Sequence, residues 1–357
     1  MLVSSLEKRA GGCLVGKGPR MPNNTASVNF NFYGLNLELR SEDSNLVESI
    51  ERDFSYFKAA PGIPQVSINV FAAKPDFTSL PDLKASIYTL DYICYHTKEQ
   101  VFTDYHGKAL RVFNTKQKNY RIFSDNADLR HEISYLTVLG TVGQFLDSRH
   151  IHRVHALGIS RNGKAILILL PEKGGKTTLA LRFLKSDGVK LLSEDSPLIT
   201  SHGEVLPFPL RLGILPGGEG DIPPKYIHPV NFMRVGTKLL VDVGYYADKI
   251  SPPCQPGIVL LGERSLGCGV KIEPVGRLSA GKGFIKNAVI GLGLHQGMEY
   301  LLGRNLWETL SKGGLALSRL NNSLKVLRRS QVYRYIIGHD LERNNQVLLD
   351  FLQKVNL

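Results

Sequence analysis

The sequence predicts an α/β protein in two parts: a small α+β domain with an antiparallel sheet over residues 25–128, then an α/β core over residues 129–357. Three observations predict it. The stretch "SVNFNFYGLNLELR" from Ser27 alternates apolar and polar residues, the period of a half-buried strand. The stretch "KAILILL" from Lys164 is apolar throughout its length, as a strand covered on both faces must be. A glycine-rich loop and a helical pattern, "PEKGGKTTLALRFLKSD", follow it directly.

Within the first part, "LVESIERDFSYFK" has helical spacing. "PQVSINVFAAK", "IYTLDYICYHTKEQVFTDYHGKALRVFN" and "NYRIFSD" read as strands, because Tyr, Val, Ile and Phe suit a pleated surface. One helix beside a small antiparallel sheet is the expectation. "ADLRHEISYLTVLGTVGQFLDSRH" is then a long amphipathic helix with Leu136, Leu139, Val142 and Phe145 near one face. A short strand, "HRVHALGISR", meets a tight hairpin at "RNG" before the buried strand begins. After the loop helix, Gly188 stands where a C-terminal cap belongs, and "VKLLS" is a strand. "PLIT-SHGE-VLPFPL" reads as a hairpin, and residues 214–255 as loops with short strands. "PGIVLLGE", "GVKIEPV" and "VYRYIIG" complete the strands, and "LERNNQVLLDFLQKV" is the last helix. Residues 1–24 read as a flexible tail, with Met21 an alternative start.

Composition narrows the function classes. Four cysteines, Cys13, Cys94, Cys254 and Cys268, lie far apart with no C-x-x-C pair, which argues against a disulfide framework or a zinc site and fits a cytoplasmic protein. No window has the ~18 apolar residues of a membrane span. The net charge of +12 permits an acidic partner, but the Lys and Arg residues are scattered and only "KVLRRS" is locally dense, so nucleic acid is not the expected ligand.

"PEKGGKTT" carries chemistry. A phosphate-binding loop needs small residues that let several N–H groups face an anion, and a helix whose positive end starts there. It also needs a Lys for the phosphates and a hydroxyl for magnesium. Gly174 and Gly175 supply the turn, Lys176 the cation, and Thr177 and Thr178 the hydroxyls, with Pro171 forcing the chain out of the strand. Leu170 stands where such loops carry their first glycine. A second segment, "GRLSAGKG" from Gly276, has that glycine but ends in Gly283 without a hydroxyl, and Ser279 as a helix cap accounts for it. Downstream, "VKLLS" ends in Glu194 and Asp195. Two carboxylates at a strand end beside a phosphate loop suit magnesium binding and activation of a hydroxyl, and their mutual repulsion favours a shared cation.

The order of strand with His, turn, buried strand, G-K-[ST], helix, strand ending in paired acids, and hairpin leading to "PFP" resembles the catalytic domain of HPr kinase/phosphorylase and its related kinases. Matching stretches are "RVHALGI", "AILILLPEKGGKTTLALRFL", "VKLLSEDSPLI", "GEVLPFPLRLGI" and "EPVGRLSAGKGFIKNAVIGL", over residues 150–295. The resemblance implies a phosphoenolpyruvate-carboxykinase-like P-loop kinase core with a mixed sheet. It also implies ATP- and magnesium-dependent phosphorylation of a hydroxyl. Lys176 and Thr177 match the loop lysine and the metal-binding hydroxyl, Glu194 the acid that serves as base, and Asp195 the second acid, a metal ligand with Thr177. His155 matches a histidine before the loop strand, and Arg211 falls where a basic residue could face phosphate. The chain departs from the family in having Glu for Asp at 194, Ala156 after the histidine, and Leu212 within "PLRLGI" where a glycine would be.

The expected protein is therefore a kinase whose acceptor is a hydroxyl of a small molecule, such as free serine, or of a peptide or protein, with a homo-oligomer possible. A nucleotide-hydrolysing switch and a degenerate, non-catalytic nucleotide- or peptide-binding module are the alternatives. Glu194 and Asp195 both remain open as the base.

Overall fold

The structure is a computed structural model that describes residues 21, 25–170, 174–232, 236–276, 281 and 306–355. The expected tail, Pro171 and the body of the second glycine-lysine segment, with Ser279 and Gly283, lie outside the described residues. The chain forms two compact units: residues 1–29, 36–49 and 60–134 make one, and residues 30–35, 50–59 and 135–357 the other.

The first unit is dominated by an eight-stranded sheet, ordered β1-β2-β3-β8-β7-β6-β5-β4. Its strands are β1 (Ala26–Phe32), β2 (Leu35–Ser41), β3 (Val66–Phe71), β4 (Ile87–Tyr88), β5 (Ile93–His96), β6 (Gln100–Asp104), β7 (Leu110–Asn114) and β8 (Asn119–Phe123). The single strand expected over "SVNFNFYGLNLELR" is two. Tyr33 and Gly34 both have positive φ, 53° and 98°, the backbone of a tight two-residue hairpin turn.

The sheet is mixed rather than antiparallel, which corrects the sequence expectation. β2 pairs parallel to β3, and β3 parallel to β8, while β4 to β8 form an antiparallel meander. The reason is α1 (Ser44–Asp53), which links β2 to β3. Parallel neighbours need a crossover connection, and a helix is the usual one. Leu37, Leu39, Ile68, Val70 and Ile122 are buried here, and Phe102, Leu110 and Val112 form a cluster under Leu80 and Leu83.

The second unit is built on a six-stranded mixed sheet, ordered β12-β10-β11-β18-β20-β19. Chain order gives α2 (Ala127–Ser148), β9 (His152–Arg153), β10 (Leu157–Arg161), β11 (Lys164–Leu169), α3 (Lys176–Lys185), β12 (Val189–Ser193), β13 (Leu198–Ile199) and β14 (Val205–Leu206). β15 (Leu212–Ile214), β16 (Ile227–Phe232), β17 (Gly236–Val241), β18 (Gln255–Arg264), β19 (Lys271–Pro274), α4 (Leu306–Arg329), β20 (Gln331–Ile337) and α5 (Leu341–Lys354) follow. β11 runs parallel to β18 and antiparallel to β10; β18 runs parallel to β20. Asn162 and Gly163, at φ 50° and 73°, make the "RNG" hairpin.

The uninterrupted apolar run in β11 follows from burial on both faces. Ile166 and Ile168 pack with Leu179 and Phe183 of α3 and Leu348 and Leu352 of α5. The alternate residues, Ala165, Leu167 and Leu169, pack with Val326 and Leu327 of α4. The locally dense basic run ends α4: Lys325 donates to the Ser201 carbonyl and Arg329 to the His202 carbonyl, so it is absorbed by local structure. Among the described residues no helix is long and apolar enough to cross a membrane.

Where β18 passes the end of β11, a side chain on Gly262 would stand 2.8 Å from both the Leu169 carbonyl oxygen and Leu170 Cδ2. A backbone oxygen cannot rotate away. Gly262→Ala is therefore expected to destabilise the protein by about 1–3 kcal/mol through overpacking, read as a lower thermal midpoint. An unchanged midpoint would contradict this account of the contact.

Candidate active site

The candidate site lies at the N-terminus of α3. β11 ends at Leu169, and Leu170 follows, buried in the same apolar cluster as Leu179, Tyr335 and Ile337. Gly175 caps α3 at φ 83°, a conformation that favours glycine, and has no side chain to occupy the helix end. The first intrahelical bond of α3 is Leu179 N to Gly175 O at 2.9 Å, which leaves the N–H groups before it free for an anion.

The acids are held opposite. After β12, the Ser193 hydroxyl accepts from Ser196 N at 3.0 Å and fixes the "SED" turn. The link between β9 and β10 is hydrogen-bonded to it: Val154 N donates to Pro197 O at 3.0 Å and Ala156 N to Asp195 O at 3.2 Å. The expected strand over "HRVHALGISR" is broken here, and the break carries His155 to Asp195. Gly158 permits the approach, since a Cβ there would lie 2.9 Å from Pro197 Cβ. Sequence reading passed over Gly158; a lone glycine inside a strand was the available signal.

Five of the expected side chains meet. Lys176 Nζ lies 2.6 Å from His155 Nε2 and 3.2 Å from Asp195 Oδ1. An ammonium only donates, so Nε2 accepts and the imidazole proton sits on Nδ1. Nδ1 faces Asp195 Oδ1 at 3.1 Å. Beside them Thr177 Oγ1 donates to Glu194 Oε1 at 2.7 Å.

The two carboxylates are driven apart in proton affinity. Burial raises the Glu194 pKa above its ordinary value and the neighbouring Asp195 charge raises it further, with Thr177 and Lys176 opposing only in part. Burial would raise Asp195 as well, but the adjacent His155 and Lys176 outweigh it and hold its carboxyl below the ordinary value. This split is how one site can keep one acid ionised while the other exchanges a proton.

Arg211 is placed differently. It forms a buried ion pair with Asp53 at 2.5 Å, and its guanidinium stacks 3.7 Å from the ring centre of Tyr135. Tyr135, which sequence reading missed, links the two groups. Its hydroxyl is pushed up to about 12 by burial, against the pull of Arg211 and with the help of Asp53, Asp195 and Glu194. Tyr246, buried and donating to the Leu210 carbonyl at 2.5 Å, also feels the Glu194 charge. Neither tyrosine belongs to a motif, so spacing gave no signal for them. Thr178 and Gly174 face a separate small pocket with Leu170, Leu179 and Ile337.

The oxygen donors suit magnesium. The Thr177 hydroxyl and two carboxylates are hard ligands, and magnesium takes one or two carboxylates and completes its shell with substrate phosphates and water. Burial, and after it the neighbouring Asp195, disfavours a bare charge on Glu194.

No family model matches the chain. No curated protein matches it. Among solved structures it is similar to the HPr(Ser) kinase/phosphatase from Coxiella burnetii, at 10% identity, over 56% of this chain and 97% of that one, with a TM-score of 0.25. A likeness that loose carries no argument, and the functional reading rests on the site's own geometry.

Leu170 has no positive φ and sits in the core, so this loop does not need a glycine there. Leu170→Gly is expected to cost about 2–5 kcal/mol in stability from the lost burial, without tightening binding of inorganic tripolyphosphate. Tighter tripolyphosphate binding in calorimetry would mean that Leu170 impairs the loop.

Proposed function

We propose that the protein is an ATP- and magnesium-dependent kinase that transfers the γ-phosphoryl group to a hydroxyl. The observation that carries this reading is the meeting of the α3 N-terminus, Lys176 and Thr177 with the paired acids Glu194 and Asp195. A phosphoryl group needs positive ends and donors around its oxygens, and an attacking hydroxyl needs a base within reach.

In this reading the free N–H groups of α3 and Lys176 hold the phosphates. Lys176 turns to the phosphate from Asp195 and His155, which hold it in reach beforehand. Thr177 and Asp195 would hold magnesium, which neutralises phosphate charge when bound. Glu194, held beside them by the Thr177 hydroxyl, would accept the acceptor's proton. A bond forms from the acceptor oxygen to the γ-phosphorus, the bond from that phosphorus to the β–γ bridging oxygen breaks, and ADP departs with the electron pair. The raised proton affinity of Glu194 makes it the better base, and the depressed value of Asp195 keeps it charged beside the cations. The acceptor is a small hydroxyl compound, such as free serine, or a serine of a peptide or protein.

Labelled ATP with a panel of free serine, related hydroxyl compounds and peptides tests this. Lys176→Ala and Asp195→Ala are each expected to lower transfer at least about a hundredfold while leaving the fold intact. Full activity in both sinks the assignment, and nucleotide turnover that ignores every acceptor supports a hydrolysing switch instead.

The acid limb of the pH profile is a second check. A base works only when deprotonated, so activity falls as pH drops through the Glu194 pKa, which lies above the ordinary 4.5. Glu194→Gln is expected to remove that limb and lower kcat by roughly 10²–10⁴. A wild-type limb at or below 4.5 would move the base to Asp195.

A further inference from the structure

Arg153 ends β9, and among the described residues its guanidinium has no hydrogen-bond or ion-pair partner. It is nevertheless partly buried. After burial itself, the influence it feels most is the charge of Asp147, then that of Arg319. Asp147 is already engaged on both oxygens: Oδ1 by His152 Nδ1 at 2.8 Å and Oδ2 by Arg319 Nη2 at 2.8 Å. Two guanidiniums thus stand near one carboxylate, and positive charge is left over. A cation withdrawn from water without a partner is costly, so an unpaired one needs a reason. The fold also makes room for it. Gly143 lies inside α2, where glycine is a poor helix residue. A Cβ there would overlap Arg153 Nη2 and stand 2.9 Å from Cζ. The missing side chain lets the guanidinium lie against the helix.

This free cation belongs to the neighbourhood of the acids. Arg153 stands two residues before His155, whose Nδ1 faces Asp195 Oδ1 at 3.1 Å. It feels the charges of Tyr135 and Asp195, and Tyr135 in turn feels Asp195 and Glu194. The phosphate chain already has Lys176 and the α3 N-terminus, which reach Asp195 from the loop. Arg153 comes instead from β9 and lies on α2. Resting on the kinase reading above, we propose that Arg153 binds a carboxylate of the phosphoryl acceptor, so that the acceptor is a small hydroxy acid rather than a serine within a peptide. A guanidinium presents a planar fork that pairs with a carboxylate through two parallel N–H bonds. In a small hydroxy acid, such as free serine, a short carbon chain ties that carboxylate to the reacting hydroxyl. A serine inside a peptide carries an uncharged amide in the same place. The acceptor thus brings the anion that Arg153 lacks, and its hydroxyl is oriented by the same contact.

Transfer from labelled ATP by the full chain tests this, with small hydroxy acids, their methyl esters and neutral serine peptides as acceptors. Wild type is expected to use at least one hydroxy acid, and to use its ester less well in kcat/KM by about tenfold or more, the loss of one charged hydrogen-bonded pair. Arg153→Met is expected to raise the KM for that acid by about the same factor. It leaves the KM for ATP and the kcat/KM for the ester unchanged, a split that a merely structural role would not produce. Arg153→Lys keeps the charge without the fork and is expected to fall between the two. Because Arg153→Met removes an unpaired charge, the thermal midpoint of the ligand-free protein is expected to stay at or above wild type, which separates lost binding from lost folding. An unchanged KM for the acid in Arg153→Met, or a raised KM for ATP in its place, overturns the assignment while the kinase reading stands. Transfer to neutral peptides but to no hydroxy acid does the same. If wild type transfers to no acceptor of any kind, the kinase reading fails and the assignment with it.

Discussion

The constraint on which the site depends is the repulsion between two adjacent carboxylates at the end of one strand. Glu194 and Asp195 are partly buried, and neither charge is tolerated there without compensation. Lys176 supplies it at 3.2 Å from Asp195, from the first residue of α3. That position exists only because β11 delivers the chain to a glycine cap beside β12. The backbone bonds of Val154 and Ala156 to the "SED" turn, and the missing side chain at Gly158, bring the acids to meet it. The residues proposed to bind phosphate are thus the same ones that make the acids tolerable.

The pair Asp53–Arg211 obeys a different logic. Both side chains are almost fully buried, and Arg211 is further covered by the ring of Tyr135. Taking two charges out of water costs several kcal/mol each, so close pairing does little more than offset desolvation. What the arrangement contributes is position. Tyr135 stacks on Phe54 at 5.1 Å and on Arg211, and its hydroxyl feels both site acids. Phe32, Phe57 and Phe208 extend the same aromatic cluster. Arg211 is thereby a residue that fixes Tyr135 beside the acids, whatever further contact it makes with a substrate.

Legibility in the sequence followed the range of the interactions. The β11–loop–α3 unit, the acids after β12, the "RNG" hairpin and the last helix were all readable, because each is encoded within about twenty residues. His155 was readable only through the family resemblance, and its contact with Lys176 confirms that the two are neighbours. The parallel pairing of β2, β3 and β8 was not readable, since alternation gives a strand's faces but not its partner's direction. Tyr33–Gly34 hid a hairpin, because a Tyr at positive φ is uncommon and the alternation continues across the turn. Tyr135 sits on a helix whose apolar face dominates the pattern, and only tertiary packing gives it meaning.

Leu170 brings these ranges together. Read locally, it is the wrong residue for the first position of a phosphate loop. Read in the fold, it belongs to the core that clamps the loop: it packs with Leu179 from the helix that follows and with Ile337 from β20, against a strand that must be glycine at 262. A loop anchored by a buried leucine at its start and by a left-handed glycine at its end has its helix terminus held in register with the acids. The glycine that is absent from the pattern is absent because this backbone keeps negative φ there, and the side chain it gains tightens the junction.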